Sequence, residues 1–131
     1  MTTLEFTKMH GCGNDYIYIV AMRARPADPS ALSVKLSDRH FGVGGDGLIM
    51  LAPSGKADIR MEMYNADGSR GDMCGNGIRC LARLAFERGL VRANPMVVET
   101  DAGLKTVALR LEGRRVMGAT VDMGEPILEG R

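Results

Sequence analysis

Cys74-Gly75-Asn76-Gly77 stands directly before Ile78-Arg79-Cys80-Leu81-Ala82-Arg83-Leu84-Ala85-Phe86, whose apolar residues recur at helical spacing. The pattern predicts a thiol at the start of an amphipathic helix. The first turn of a helix presents unpaired backbone N–H groups and a partial positive charge. Both favour thiolate over thiol, so a cysteine placed there has a lowered pKa. The same N–H groups can hold a carboxylate. A reactive base and an anion cradle side by side point to chemistry on an acid. The commonest fate of an unpaired cysteine is burial as a small apolar residue, but the glycines around Cys74 argue against burial. Asn14, Asn65 and Asn76 form a second signal, each in a turn-like or glycine-flanked segment. Asparagine is a good turn residue in its own right. Amides can also grip an ammonium and a carboxylate without adding charge, which suits an amino-acid ligand.

Other chemistries fit less well. Cys80, on the same helix, reads as a small core residue. Cys12, between Gly11 and Gly13, reads either as a thiol that approaches the site or, at least as well, as a purely local loop residue. His10, Cys12, Cys74 and Cys80 carry zinc-binding atoms without zinc-binding spacing, so no metal site is expected. Gly42-Val43-Gly44-Gly45-Asp46-Gly47 matches a dinucleotide fingerprint by letter but leads into a strand-like run rather than a helix. Asn65-Ala66-Asp67-Gly68 lacks the later ligands of a calcium loop. Arg70-Gly71-Asp72 has no adhesion context. His10 and His40 read as loop-bracing residues.

The elements that must position these residues are legible from periodicity. Leu4 to Met9 and Tyr16 to Val20 read as strands that pair across the turn chemistry of His10 to Asp15. Pro29 to Asp38 reads as a short helix with proline in its first turn. Leu48 to Ala52 reads as a buried strand. Asp58 to Tyr64 alternates, with Ile59, Met61 and Met63 on one face and Arg60 and Glu62 on the other. The helix from Asn76 to about Arg88 has an apolar stripe wide enough to be surrounded by other elements, and Gly89 is its expected stop. Met96 to Thr100, Lys105 to Leu111 and Arg115 to Val121 complete a set of strands around one or two helices, an α+β domain.

The totals fit one domain. The chain has 131 residues, 45% hydrophobic and 25% charged. Its 17 Lys+Arg against 16 Asp+Glu leave a net charge of +1, which gives no nucleic-acid footprint. No apolar run reaches membrane-spanning length, and Met1 to Glu5 carries no secretory pattern. The 3 cysteines form no disulfide framework and predict a reducing, cytoplasmic setting.

Four segments carry a resemblance. They are Met9-His10-Gly11-Cys12-Gly13-Asn14-Asp15-Tyr16, Arg39-His40-Phe41-Gly42-Val43-Gly44-Gly45-Asp46-Gly47, Tyr64-Asn65-Ala66-Asp67-Gly68-Ser69 and Met73-Cys74-Gly75-Asn76-Gly77-Ile78-Arg79-Cys80. In this order they resemble the N-terminal half of diaminopimelate epimerase, and Met123-Gly124-Glu125-Pro126 is similar to the end of that half. The resemblance implies one lobe of a two-lobed fold, a mixed or antiparallel sheet wrapped around a central helix, with residues 1–131 as the N-terminal lobe and the C-terminal lobe absent from this chain. It implies a cofactor-independent epimerase interconverting LL- and meso-diaminopimelate in lysine and peptidoglycan biosynthesis. One cysteine from each lobe would flank the substrate α-carbon. Cys74 is then the acid/base of this lobe, Gly75 and Asn76 offer N–H groups to the carboxylate, and Asn14, Gly47 and Asn65 contact substrate. Neither Cys12 nor Cys80 occupies the partner cysteine's motif, so the 131-residue chain alone is expected to be inactive. The implied partners are the amino-acid substrate, the C-terminal lobe and, as in many members of that family, a second copy of the protein. Proline racemases share the two-thiol plan but usually carry histidine where this chain has Asn76. A single lobe kept as a binding module is the alternative from another class.

Overall fold

The computed structural model describes residues 6–11, 14–71 and 75–122. The predicted Leu4 start of the first strand, together with Cys12, Cys74 and Met123 to Pro126, lies outside the described residues. Strands β1 (Phe6–Gly11), β2 (Asn14–Val20), β3 (Gly47–Ala52), β4 (Ile59–Asn65), β5 (Arg70–Gly71), β6 (Met96–Thr100), β7 (Gly103–Glu112) and β8 (Arg115–Asp122) form one sheet, with helices α1 (Pro29–Ser37) and α2 (Gly75–Glu87). The strand order is β1-β2-β3-β4-β6-β7-β8, and β5 is attached to β4. The sheet is mixed: β2 runs parallel to β3 and β4 parallel to β6, while the other pairs are antiparallel.

Alternation along the strands sorts side chains to two faces. Tyr16 and Tyr18 of β2, Ile49 and Leu51 of β3, and Ile59, Met61 and Met63 of β4 point to one side and pack with Ile78, Leu81, Ala82 and Ala85 of α2. Ile17, Ile19, Leu48, Met50 and Tyr64 point to the other and pack with Leu32 and Leu36 of α1. Helix α2 touches β1, β2, β3, β7 and β8, so strands from both ends of the sheet meet it and the sheet curls round it as a half-barrel. The wide apolar stripe read from the sequence is therefore buried on several sides, with Ile78 and Leu81 fully enclosed. Cys80 is half-buried against the same core, as expected of a small core residue. Gly89 stops the helix at a φ of 72°, a conformation that costs glycine little.

Helix α1 begins where the proline predicts. Asp28 caps it by accepting from the Ala31 N–H at 3.1 Å, and Pro29 occupies its first turn. The β1–β2 pair extends further into the expected turn than the sequence suggests. Pairs His10↔Asp15 and Gly11↔Asn14 continue the ladder to the strand ends, because main-chain pairing outweighs the turn preference of Gly and Asn. The polar face of β4 departs from expectation more sharply. Glu62 is only 5% exposed.

Candidate functional site

Three of the expected site residues share one end of the sheet. Asn14 opens β2, Gly47 opens β3 and Asn65 closes β4. Because β2 and β3 are parallel with Tyr16 beside Gly47, and β3 and β4 are antiparallel with Gly47 opposite Asn65, the three termini fall on the same edge. Gly47 is fixed by close approach: a Cβ there would collide with the Tyr64 carbonyl oxygen and lie 3.3 Å from the Asn65 Cα. No larger residue fits at this position without moving the end of β4.

The Asn65 turn is held from several directions. Its N–H donates to the Ser69 carbonyl at 2.8 Å, and the Gly68 N–H donates to the Asn65 carbonyl at 2.9 Å. Its amide Nδ2 donates to Ser69 Oγ at 3.0 Å, and Ser69 Oγ donates to Asp67 Oδ1 at 2.6 Å. The Ser69 hydroxyl, with the Ser69 N–H, keeps the Asp67 carboxyl below the usual range. Buried Ser33 of α1 donates to the Asn65 carbonyl at 2.7 Å, and Ser30 donates to the Gly68 carbonyl at 2.6 Å. Helix α1 therefore serves as the rear support of this turn, a role not evident from sequence.

The segment before Gly47 is tied to β2 just after Asn14. The Asp46 N–H donates to the Asp15 carbonyl at 2.6 Å, and the Asp15 N–H donates to Asp46 Oδ2 at 2.7 Å. Arg39 lies 3.5 Å from Asp15 Oδ2 and 3.3 Å from Asp46 Oδ1, and Lys8 lies 3.2 Å from Asp15 Oδ2. The loop is braced by the backbone: the N–H groups of His40 and Phe41 donate to Asp38 Oδ1, holding the Asp38 carboxyl below its usual range.

Helix α2 is fastened to the sheet near its N-terminus. Tyr18 of β2 donates to the Gly77 carbonyl at 3.2 Å, fastening the first turn to the sheet. Asn76 is oriented by Arg79, whose Nη1 donates to Asn76 Oδ1 at 2.9 Å. That first turn carries no acidic residue, which leaves its positive end uncompensated from within the turn. Strand β5 pairs back on the end of β4, and residues 72–74 link Gly71 to Gly75, a reach of at most ~15 Å. The structure thus places Gly47, Asn65 and the backbone of Asn14 at one end of the sheet, while the first turn of α2, with Gly75 and Asn76, is tied to the middle of β2 through Tyr18. Cys74 and the Asn14 side chain lie outside the described atoms. Among the described residues no cluster of His, Cys, Asp and Glu could hold a metal ion.

A second polar centre was not foreseen. Arg25 grips Glu62 with two hydrogen bonds of 2.9 Å, and Arg60 and Arg70 approach the same carboxylate to 3.6 and 3.9 Å. Burial opposes ionisation of Glu62, but the hydrogen bonds and charge of Arg25 and the charges of Arg70 and Arg60 outweigh it and hold the carboxyl below the usual range. A cavity of about 210 Å³ beside this pair is lined by Ala21, Arg25, Ala52 and Glu62. It lies where β2 and β3 finish, away from Gly47, and Arg25 already satisfies its buried carboxylate.

The model of the family described as diaminopimelate epimerase matches residues 6–129. The chain belongs to the diaminopimelate epimerase family. It is 53% identical over 125 residues to the diaminopimelate epimerase of Agathobacter rectalis, covering 95% of this chain and 44% of that protein. It is 52% identical over 125 residues to that of Desulfovibrio desulfuricans, again covering 95% and 44%. This epimerase-family chain therefore spans less than half the length of these relatives. A solved structure of a probable proline racemase from Agrobacterium radiobacter superimposes with a TM-score of 0.65 at 20% identity, over 86% of this chain and 39% of that one. That likeness establishes the shared fold: an α+β lobe in which a sheet wraps a central helix.

Proposed function

We propose that this chain is the N-terminal lobe of a diaminopimelate epimerase and supplies one of its two catalytic thiols, Cys74. The observation that carries the proposal is the family match over residues 6–129, supported by the shared strand end of Asn14, Gly47 and Asn65. An amino-acid α-proton is very weakly acidic, so the carbanion formed on its removal needs stabilisation. N–H groups of Gly75 and Asn76 and the α2 dipole would hold the substrate carboxylate and spread its growing charge in a water-poor cleft. Cys74 thiolate removes the proton from one face, and a thiol from a second lobe returns one on the other. Inversion requires bases on opposite faces. The chemistry rests on thiols and main-chain dipoles and calls on no cofactor. Asn14 and Asn65 would read the substrate's amino and carboxyl groups, and Gly47 keeps their strands close enough to do so. A cytoplasmic, homodimeric protein is the finer form of the proposal; none of the described helices is long and apolar enough to cross a membrane.

The racemase neighbour keeps one competitor in view. Asn76, where proline racemases usually carry histidine, and the Asn65-Ala66-Asp67-Gly68 segment favour diaminopimelate over proline. The full-length protein, incubated in deuterated water with LL-diaminopimelate, L-proline or trans-4-hydroxy-L-proline, decides between them. Deuterium at the α-carbon and the meso product should appear with diaminopimelate alone. Turnover of a proline with none of diaminopimelate would refute the assignment. Saturable binding of diaminopimelate without exchange would instead support a binding module.

A further inference from the structure

We infer that Ser69 and Asp67 are positioning residues of this site: together they fix which end of the Asn65 amide turns back into its own loop and which end is left to face outward. An asparagine amide carries a donor nitrogen at one end and an acceptor oxygen at the other, in nearly the same shape. Only one of the two orientations suits a given substrate group, so a site that reads substrate through an amide gains from holding it one way round.

A chain of three side chains makes that choice. An ionised carboxylate can only accept, and the hydroxyl and N–H of Ser69 hold the Asp67 carboxyl below its usual range. At 2.6 Å from Asp67 Oδ1, the Ser69 hydroxyl must therefore supply the hydrogen. Its oxygen is left with lone pairs alone, and it meets the Asn65 amide at 3.0 Å. The amide must offer its nitrogen there. The reverse orientation would set Oδ1 against Oγ with no hydrogen between them. Oδ1 is thereby directed to the β5 side, where Gly71 carries no side chain; a Cβ at Gly71 would stand 3.4 Å from it.

The backbone of the turn does not need that hydroxyl. Asp and Ser are common turn residues for the sake of the main chain alone, and here the main chain has its own bonds. The Asn65 N–H reaches the Ser69 carbonyl, the Gly68 N–H reaches the Asn65 carbonyl, Ser33 holds the Asn65 carbonyl from α1, and the Ser69 N–H donates to Asp67 Oδ1 at 2.9 Å. Removing the Ser69 hydroxyl leaves all four in place and releases the amide. Ser69 and Asp67 are both exposed, so truncating either one opens no hole in the core.

This role rests on the proposed contact between Asn65 and substrate, and a double-mutant cycle separates the two. In the full-length protein, KM and kcat for LL-diaminopimelate are measured for wild type, Ser69→Ala, Ser69→Thr, Asp67→Ala, Asn65→Ala and the Asn65→Ala/Ser69→Ala pair, with thermal midpoints alongside. Ser69→Ala is expected to raise KM about 3–10-fold, the worth of one hydrogen bond, with a smaller change in kcat. Ser69→Thr keeps a hydroxyl and should restore most of the loss. Asp67→Ala frees the hydroxyl to turn and should raise KM in the same direction; it decides the matter if the Ser69 variants do not fold. In the Asn65→Ala background, Ser69→Ala should add nothing, because the group it orients is gone. A wild-type KM in folded Ser69→Ala, or the same rise with and without the Asn65 amide, would overturn the positioning role while leaving Asn65 in contact with substrate. A wild-type KM in Asn65→Ala would instead remove the contact on which the role stands.

Discussion

At the scale of single residues, the site depends on side chains that are present and on one that is missing. Gly47 has no room for a Cβ because the Tyr64 carbonyl occupies it. Gly47→Ala should destabilise the protein by about 1–3 kcal/mol through overpacking and, by pushing the Asn65 turn away, raise the KM for diaminopimelate; thermal melting and steady-state kinetics check both. A Gly47→Ala protein with wild-type KM would detach this glycine from the site. The resemblance marks Gly47 as a substrate contact, but the approach of the Tyr64 carbonyl could not be read from the sequence, because Tyr64 lies far along the chain. The Ser33 support of Asn65 was equally invisible: a serine in a helix becomes informative only once packing buries it.

At the scale of elements, α2 and its anchoring to β2 carry the argument. Ile78 and Leu81 are fully buried between the helix and the curled sheet. Leu81→Ala should cost about 2–5 kcal/mol in chemical denaturation. Tyr18→Phe removes the 3.2 Å bond to the Gly77 carbonyl and should cost about 1 kcal/mol. Its more specific effect should be a slower modification of Cys74, since the first turn loses a fastening; an unchanged rate would show that the turn is held without Tyr18. The elements were largely legible in the sequence. Period-two alternation marked β4, β-branched and aromatic residues marked β2, and the wide stripe of α2 correctly announced a helix with neighbours on several sides. Strand β5 was not legible, because two residues show no periodicity and are held by side chains from distant segments. The burial of Glu62 was hidden for a related reason. Alternation assigns it to the polar face of β4, and only the approach of Arg25, Arg60 and Arg70 makes burial tolerable.

At the scale of the whole molecule, the Glu62 centre sets a pH dependence. Its carboxyl titrates lower in the folded protein than in the unfolded chain. The stabilisation is therefore complete above the usual glutamate pKa of about 4.3 and is lost as pH falls through the depressed folded value. Stability should decline below about pH 4.5, and Glu62→Gln should flatten that decline. At neutral pH the same substitution should cost about 1–3 kcal/mol, at the lower end because Arg25 is 51% exposed and screened by solvent. Thermal midpoints of both proteins across pH 3–7 check this, and parallel curves would rule out Glu62 as the source. The larger molecular question is catalytic completeness. The chain spans 44% of the relatives' length, and the proposed inversion uses a second thiol from another lobe. The 131-residue polypeptide by itself is expected to give no epimerisation. Sequence resemblance made this lobe recognisable, and residue 74 is where its chemistry is most directly tested.

That measurement is α-proton exchange in deuterated water by the full-length protein with and without its sulfur at position 74. The account predicts that Cys74→Ala retains its fold, as judged by circular dichroism and thermal melting, while epimerisation of LL-diaminopimelate falls by about 10²–10⁴-fold. A folded Cys74→Ala protein that interconverts the LL and meso forms at the wild-type rate would contradict it.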